Sequence, residues 1–257
     1  MSQSTRRRQL IEKLLSEQAR YRDITIPAEA TDQKMLLRSL MNVRMPKSID
    51  ADFLAVQDEY LQAATAEKGI TDLADLKPVQ PGIYLWQGDI TTLRCDAIVS
   101  AANSGMTGCY RPCHNCIDNF IHTYAGVQLR LECAEMMERQ GHEEPTGRAK
   151  ITRAYNLPCN YVLHTVGPIV DGALTQEHCR LLASCYRSCL ELAEAHGLKS
   201  IAFCCISTGV FCFPNEQAAK IAVRTVKEFR TERNSEIEVI FNVFKDVDLA
   251  IYRKLLG

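Results

Sequence analysis

"CDAIVSAANSGMTGC", residues 95–109, begins as a short apolar run and ends in small residues, Asn103 and two glycines. A run of this kind closed by turn chemistry reads as a buried strand. Gly105 and Gly108 allow backbone N–H groups to approach a ligand closely, and the helix expected next presents a positive dipole end. Glycine turns also serve simply to connect elements, so the neighbouring segments decide.

Upstream, "GIYLWQGDI" (82–90) is a second strand-like run. Downstream, "IDNFIHTYAGVQLRLECAEMMERQG" (117–141) spaces Ile117, Ile121, Ala125 and Leu129 for one buried helical face. Then follow strand-like "AKITRAYNL" (149–157) and "YVLHTVGP" (161–168), a helix from about Glu177 to His196, and strand "SIAFCCIS" (200–207). A helix with Pro214 in its first turn, strand "EVIFNVF" (238–244) and a last helix complete the chain. Strands alternating with helices imply an α/β layer fold with a largely parallel or mixed central sheet. Ligands of such sheets bind at the carboxyl ends of the strands. Three loops are placed there: "QGDIT" (87–91), "AANSGMTGC" (101–109) and "ISTGVFCFP" (206–214). The last repeats the strand, small-residue turn and helix order, so two such loops could cradle a diphosphate between helix N-termini.

Residues 1–75 differ in texture. "TRRRQLIEKLLSEQARYR" places Leu10, Ile11, Leu14 and Leu15 on one helical face. "DQKMLLRSLMNVR" and "SIDADFLAVQDEYLQAATAEKG" continue as helices, the latter closed by Gly69. No catalytic constellation is visible there, and the segment reads as an extension that packs on the main domain or recognises a partner. Arg6, Arg7 and Arg8 read as a solvated face.

With 257 residues, the chain accommodates one large domain, or a medium one with an appendage. A net charge of −1 provides no global field toward nucleic acid or an anionic membrane. No apolar run reaches the ~18 residues of a membrane span, and the N-terminus lacks a signal-peptide pattern. A cytosolic chain is expected. Reducing conditions there argue against a disulfide framework for the 12 cysteines. Cys185, Cys189, Cys204 and Cys205 lie in helix- or strand-like runs, where cysteine is a small buried hydrophobe. "GCYRPCHNCIDN" (108–119) fits neither pattern. From these residues alone a metal site, a disulfide staple and a cysteine-rich loop all stay open.

Five ordered motifs make a resemblance: "GDIT" (88–91), "AIVSAANSG" (97–105), "IDNFIHTYAG" (117–126), "TGRAKITRAYNLPCNYVLHTVGP" (146–168) and "STGVFCFP" (207–214). In this order they resemble the macrodomains, which bind ADP-ribose, over residues 76–257. The resemblance implies a three-layer α/β/α fold with a mixed central sheet, preceded by a helical extension over 1–75. It implies that Asp89 accepts the adenine amine, that the Ile90 N–H meets a ring nitrogen, and that Phe244 lies against adenine. Backbone N–H groups of Ser207, Thr208, Gly209, Val210 and Phe211 would hold the diphosphate, and Asn103 the distal ribose.

Familiar hydrolytic macrodomains carry a glycine run where this chain has "GCYRPCHNC", and here "IDN" (117–119) occupies the place of their Asp-bearing segment. That is similar to the zinc-dependent macrodomains, which have an N-terminal helical extension and a Cys, His, Cys metal set. The resemblance maps the zinc ligands to Cys109, His114 and Cys116. Two thiolates and an imidazole leave a tetrahedral ion one open position, as a catalytic zinc requires. Cys113-x-x-Cys116 is itself a zinc spacing and would close the site, but the subgroup pattern does not require residue 113, which reads as a bystander. His122 is expected to pack and make a hydrogen bond.

The activity so implied is hydrolysis of mono-ADP-ribose from acidic side chains of modified proteins. Asn103 would hold the ribose and Asp118 would orient or deprotonate water. The substrate would be a mono-ADP-ribosylated protein, a lipoyl carrier protein among the candidates, modified by a sirtuin-like transferase. The chain would act as a cytoplasmic monomer. A non-catalytic ADP-ribose reader and an O-acetyl-ADP-ribose deacetylase are the alternatives. All share the adenine and diphosphate contacts, and only the Cys109, His114, Cys116 set separates hydrolase from reader.

Overall fold

The computed structural model describes residues 1–257. The apolar runs become the strands β2 (Ile83–Gln87), β4 (Ala97–Ala102), β5 (Ala149–Arg153), β6 (Tyr161–Val166), β7 (Ser200–Phe203) and β8 (Glu238–Val243) of one sheet, while β1 (Thr71–Asp72) and β3 (Leu93–Arg94) form a separate short parallel pair. The sheet order is β2-β8-β7-β4-β6-β5, parallel throughout except for antiparallel β5 at one edge. In β4, β6, β7 and β8 nearly every residue is buried, whichever face it points to, so both faces of the sheet are covered.

The covering helices are α4 (Ile117–Ala125), α5 (Val127–Gln140), α6 (Gln176–Ala195), α7 (Asn215–Arg233) and α8 (Asp246–Leu256). Right-handed crossovers explain the layers. From β4 the chain passes through α4 and α5 to the edge strand β5 and turns back into β6, then crosses past β4 to β7 through α6 and on to β8 through α7. The direction reverses, so the second set of helices lies on the opposite face. That reversal leaves a crevice at the carboxyl ends of β4 and β7, where ligands of such sheets bind. The expected three-layer α/β/α fold with a mixed sheet is present.

Some local expectations change. The helix expected over 117–141 is two, broken at Gly126, whose φ is 99°. That backbone conformation selects glycine, and an added Cβ would also lie 2.6 Å from the side-chain ends of Gln57 and Gln128. Pro214 precedes the first turn of α7 rather than lying within it; its ψ of 125° is extended. Arg7 does not belong to a solvated face. It is buried and donates to Gln33 Oε1 at 3.1 Å, whereas its neighbour Arg8 pairs with Glu12 at the surface.

The extension comprises α1 (Gln3–Ser16), α2 (Ala30–Val43) and α3 (Ala51–Lys68), the last closed by Gly69 as expected. Its own core has nine buried apolar residues, against 45 in the main core. Polar contacts dock it. Asn42 donates to Thr123, Gln57 joins the N–H of Val127 and the Gln128 side chain, and Asp58 accepts from Gln128 and Asn156.

Beneath the sheet's ligand edge lie the buried rings of His122 and His164. His164 Nε2 is 2.9 Å from Thr152 Oγ1, and burial pushes its pKa down to about 4. His122 packs as expected but lacks the expected hydrogen bond: Nε2 is 3.5 Å from Asp118 Oδ1 without hydrogen-bond alignment. A histidine held neutral in the fold contributes stability that is complete above its unfolded pKa near 6.5 and is lost as pH falls toward the folded value. Asp118, whose pKa burial raises, works in the opposite sense, so wild type alone does not isolate the histidine. Between pH 7 and pH 5, wild type should lose about 2 kcal/mol more than His164→Gln in urea unfolding. Equal losses would mean that His164 does not titrate differently in the two states.

Candidate functional site

A cavity of about 930 Å³ opens at the carboxyl edge of the sheet. Its lining comes from the segments after β2, β4, β7 and β8 together with the start of α4. Every residue expected to touch a ligand or a metal lies on this lining.

Asp89 follows β2 and caps a short 3-10 turn, its Oδ1 accepting from the N–H and hydroxyl of Thr91 at 3.0 and 2.6 Å. Its Oδ2 accepts from Lys68 Nζ at 2.8 Å. Burial works to raise this carboxyl, but the bonds from Lys68 and Thr91 outweigh it and hold the pKa below the usual value. Lys68 was invisible as a site residue in the sequence. It is the last residue of α3, and its ammonium also lies over the Tyr124 ring at 3.4 Å from the centroid. Phe244, just past β8, is 75% exposed, an uncovered aromatic face at the cavity. Gln87 binds its carbonyl, which ties it to the Asp89 loop.

The loop after β7 turns sharply. Ser207 and Cys212 have φ of 65° and 56°, an uncommon conformation for residues other than glycine. Phe213 N–H donates to the Ser207 carbonyl at 3.0 Å and closes the turn. Ser207, Gly209, Val210 and Phe211 use none of their N–H groups in hydrogen bonds within the protein, and Thr208 makes only a long one of 3.4 Å. The Ile90 N–H is likewise unused. A loop with several free N–H groups facing a cavity suits an anion.

After β4, Asn103 accepts from Gly105 N–H at 3.0 Å and donates to the Gly108 carbonyl at 3.1 Å. Its amide also lies 3.5 Å from Asp118 Oδ2. Asp118 occupies the first turn of α4, where the helix dipole favours a negative charge. Its side chain is buried and accepts from Ser100 Oγ at 3.2 Å. Burial dominates and pushes its pKa up to about 7, against smaller opposing effects of Ser100 and Arg130. A carboxyl poised near neutrality suits general acid–base work.

Between Asn103 and Asp118 runs the Cys-rich loop. Gly108 begins it with φ of 83°; a Cβ there would lie 2.7 Å from the His122 ring, so the loop rests on the buried histidine. The donor atoms of Cys109, His114 and Cys116 all lie within 4.8 Å of one another, with Cys109 Sγ 3.6 Å from His114 Nδ1. All three are half-buried. Burial, with Cys109 adding to it, pushes the Cys116 thiol up to about 12. Two crowded thiols and an imidazole fit a soft divalent cation, which displaces their protons. Cys113 is separate. With φ of 49° it turns its sulfur to Ser39 Oγ at 3.2 Å and the Met35 carbonyl at 3.4 Å, both in α2.

The sheet sets the order of these groups. Asp89 and Phe244 follow the neighbouring strands β2 and β8, the 207–211 loop follows β7, and Asn103 follows β4. From β2 to β4 is three strand spacings, roughly 14 Å.

Residues 99–222 match the family model described as Macro domain. A "Protein-ADP-ribose hydrolase" of Treponema medium is 60% identical over 261 residues, covering all of both chains. A protein of the same name from Staphylococcus aureus (strain MSSA476) is 50% identical over 95% of this chain and 94% of its own. Among solved structures, a Trypanosoma brucei macrodomain in complex with ADP-ribose superposes with a TM-score of 0.67 and 30% identity, covering 86% of this chain and 95% of that one. An Oceanobacillus iheyensis macrodomain with ADP gives 0.63 and 36%, over 70% and 93%.

Proposed function

The chain belongs to the macrodomain family, and on that premise we propose that it is a hydrolase releasing mono-ADP-ribose from modified proteins. The observation that carries this reading is the order of groups along one cavity. A paired carboxylate and an exposed ring, a loop of free N–H groups, and a buried carboxyl beside a Cys/His/Cys cluster succeed one another in the order adenine, diphosphate, distal ribose.

In this reading Asp89 and the Ile90 N–H receive the adenine edge, Phe244 covers its face, and residues 207–211 donate to the diphosphate. Asn103, fixed by Gly105 and Gly108, positions the distal ribose. Asp118 lies beside that amide and, with its pKa near 7, orients water and takes its proton as the bond from C1″ to the protein breaks. Cys109, His114 and Cys116 hold a zinc ion, which when bound supplies a Lewis acid next to the ribose. Residues 76–257 carry all of this chemistry, and residues 1–75 dock upon it. The linkage cleaved is to an acidic side chain, and a lipoyl carrier protein is the proposed substrate, in line with the zinc-dependent subgroup the loop resembles. The chain acts as a cytoplasmic monomer; no helix in it is long and apolar enough to cross a membrane.

The test is release of ADP-ribose from mono-ADP-ribosylated carrier protein, followed by mass spectrometry. Release supports the hydrolase. Tight ADP-ribose binding without release makes the chain a reader, and turnover confined to O-acetyl-ADP-ribose makes it a deacetylase. Asp89→Ala separates binding from chemistry. It should raise KM roughly tenfold or more with kcat unchanged, the cost of one hydrogen bond to a charged group. A fall in kcat at constant KM would remove Asp89 from the binding role.

A further inference from the structure

The cysteine-rich loop has almost no regular structure of its own between β4 and α4. An irregular loop that must present three donors to one ion loses binding energy to its own ordering unless something else fixes it. The structure places that support in the N-terminal extension. Arg38, in α2, donates from Nη2 to the His114 carbonyl at 2.7 Å. Its Nε and Nη2 both reach Asn119 Oδ1, at 3.2 and 2.8 Å, and its guanidinium lies 4.1 Å from the Phe120 ring centroid. Asn119, fully buried, passes the constraint on: its amide donates to the carbonyls of Arg111 at 3.0 Å and Cys109 at 3.4 Å. One guanidinium and one amide thus gather the backbone of residues 109, 111 and 114.

The same helix face adds two further contacts. Asn42 Oδ1, one turn beyond Arg38, accepts the Cys113 N–H at 3.0 Å, and Ser39 Oγ contacts the Cys113 sulfur. These hold Cys113 turned away from the donor set. From the far side Arg130, in α5, donates to the Thr107 carbonyl at 2.8 Å, to the Met41 and Asn42 carbonyls at the end of α2 at 3.1 and 2.6 Å, and to the Arg44 carbonyl just past it at 2.7 Å. The loop is therefore clamped among α2, the start of α4 and Arg130 of α5, and α2 lies outside the matched family model.

We infer that Arg38 is a positioning residue for the metal-binding loop, and that the extension is part of the active site. Arg38 itself does not line the cavity. The inference rests on the zinc reading above and extends it to a segment with no catalytic group of its own.

The experiment uses the full chain purified without chelator: wild type, Arg38→Ala, Arg38→Lys and, as a control in the extension away from the loop, Arg6→Ala, which breaks contacts with Glu59 and Gln3 only. Zinc affinity is read by chelator competition, loop geometry by thiolate-to-cobalt charge-transfer absorption after Co(II) loading, and fold by ADP-ribose affinity. Arg38→Ala should weaken zinc binding about 10- to 100-fold and change the cobalt spectrum, with ADP-ribose affinity preserved. Arg38→Lys keeps the charge but not the fork, and should fall between. Arg6→Ala should match wild type. If wild type holds zinc and Arg38→Ala holds it equally, with the same spectrum, the positioning role is wrong. Loss of zinc and ADP-ribose together, or an equal defect in Arg6→Ala, would reduce Arg38 to a stability residue and overturn it as well. A wild type without zinc affinity would instead sink the zinc reading itself, and this inference with it.

Discussion

Replacing Cys116 with alanine should strip zinc from the chain and slow ADP-ribose release about a thousandfold, roughly 4 kcal/mol of transition-state stabilisation. Cys113→Ala, three residues away, should keep both. The contrast follows from where the two sulfurs point. Cys116 belongs to the group whose donors approach within 4.8 Å, at the N-terminal end of α4 and two residues before Asp118. The Cys113 sulfur is engaged with Ser39 and the Met35 carbonyl on α2. Affinity for free ADP-ribose should survive in both variants, since the Asp89 and 207–211 groups are untouched. Zinc content of chelator-free protein, measured with release from the same preparation, decides the matter. If Cys113→Ala loses zinc as fully as Cys116→Ala, the site is a closed four-ligand one and its role is structural. If the zinc-free Cys116 variant turns over at the wild-type rate, catalysis belongs to Asn103 and Asp118 without a metal.

The second large effect is at Asp118. Asp118→Asn should lower kcat between about a hundredfold and ten-thousandfold with KM little changed, the usual worth of a positioned general base. The substitution keeps a side chain of the same shape beside Ser100 and Asn103, so the pocket should remain intact. It also removes a carboxyl that burial makes costly to ionise, so the variant should be no less stable than wild type at pH 8. Initial rates with metal content measured alongside provide the check. A variant that retains zinc and wild-type kcat would place the base elsewhere.

How much of this was readable beforehand differs by level. The strand runs, the three ligand-edge loops and the candidate donors were all visible, because each is encoded over a dozen residues or fewer. An apolar run bounded by glycine, or Cys, His and Cys within eight positions, needs no knowledge of what lies opposite. The helix break at Gly126 was missed because the apolar spacing of Ile121, Ala125 and Leu129 continues across it. The glycine answers to a φ of 99°, and the Gln57 side chain of α3 packed against it adds to the preference. Arg7 was misread for a similar reason, since a run of three arginines hides the one whose partner, Gln33, lies in the next helix.

By itself, then, the sequence determined the layered α/β fold and the family, with the residues each loop carries to the ligand edge, since periodicity and short motifs are local properties that survive without tertiary context. Which side chains hold those loops in place was decided only in the tertiary structure. Lys68 reaches Asp89 across 21 residues, and Arg38 reaches Asn119 across 81. Hydrogen bonds over such distances leave no period in the chain: a helical pattern says which face is buried, and folding alone determines what that face is buried against.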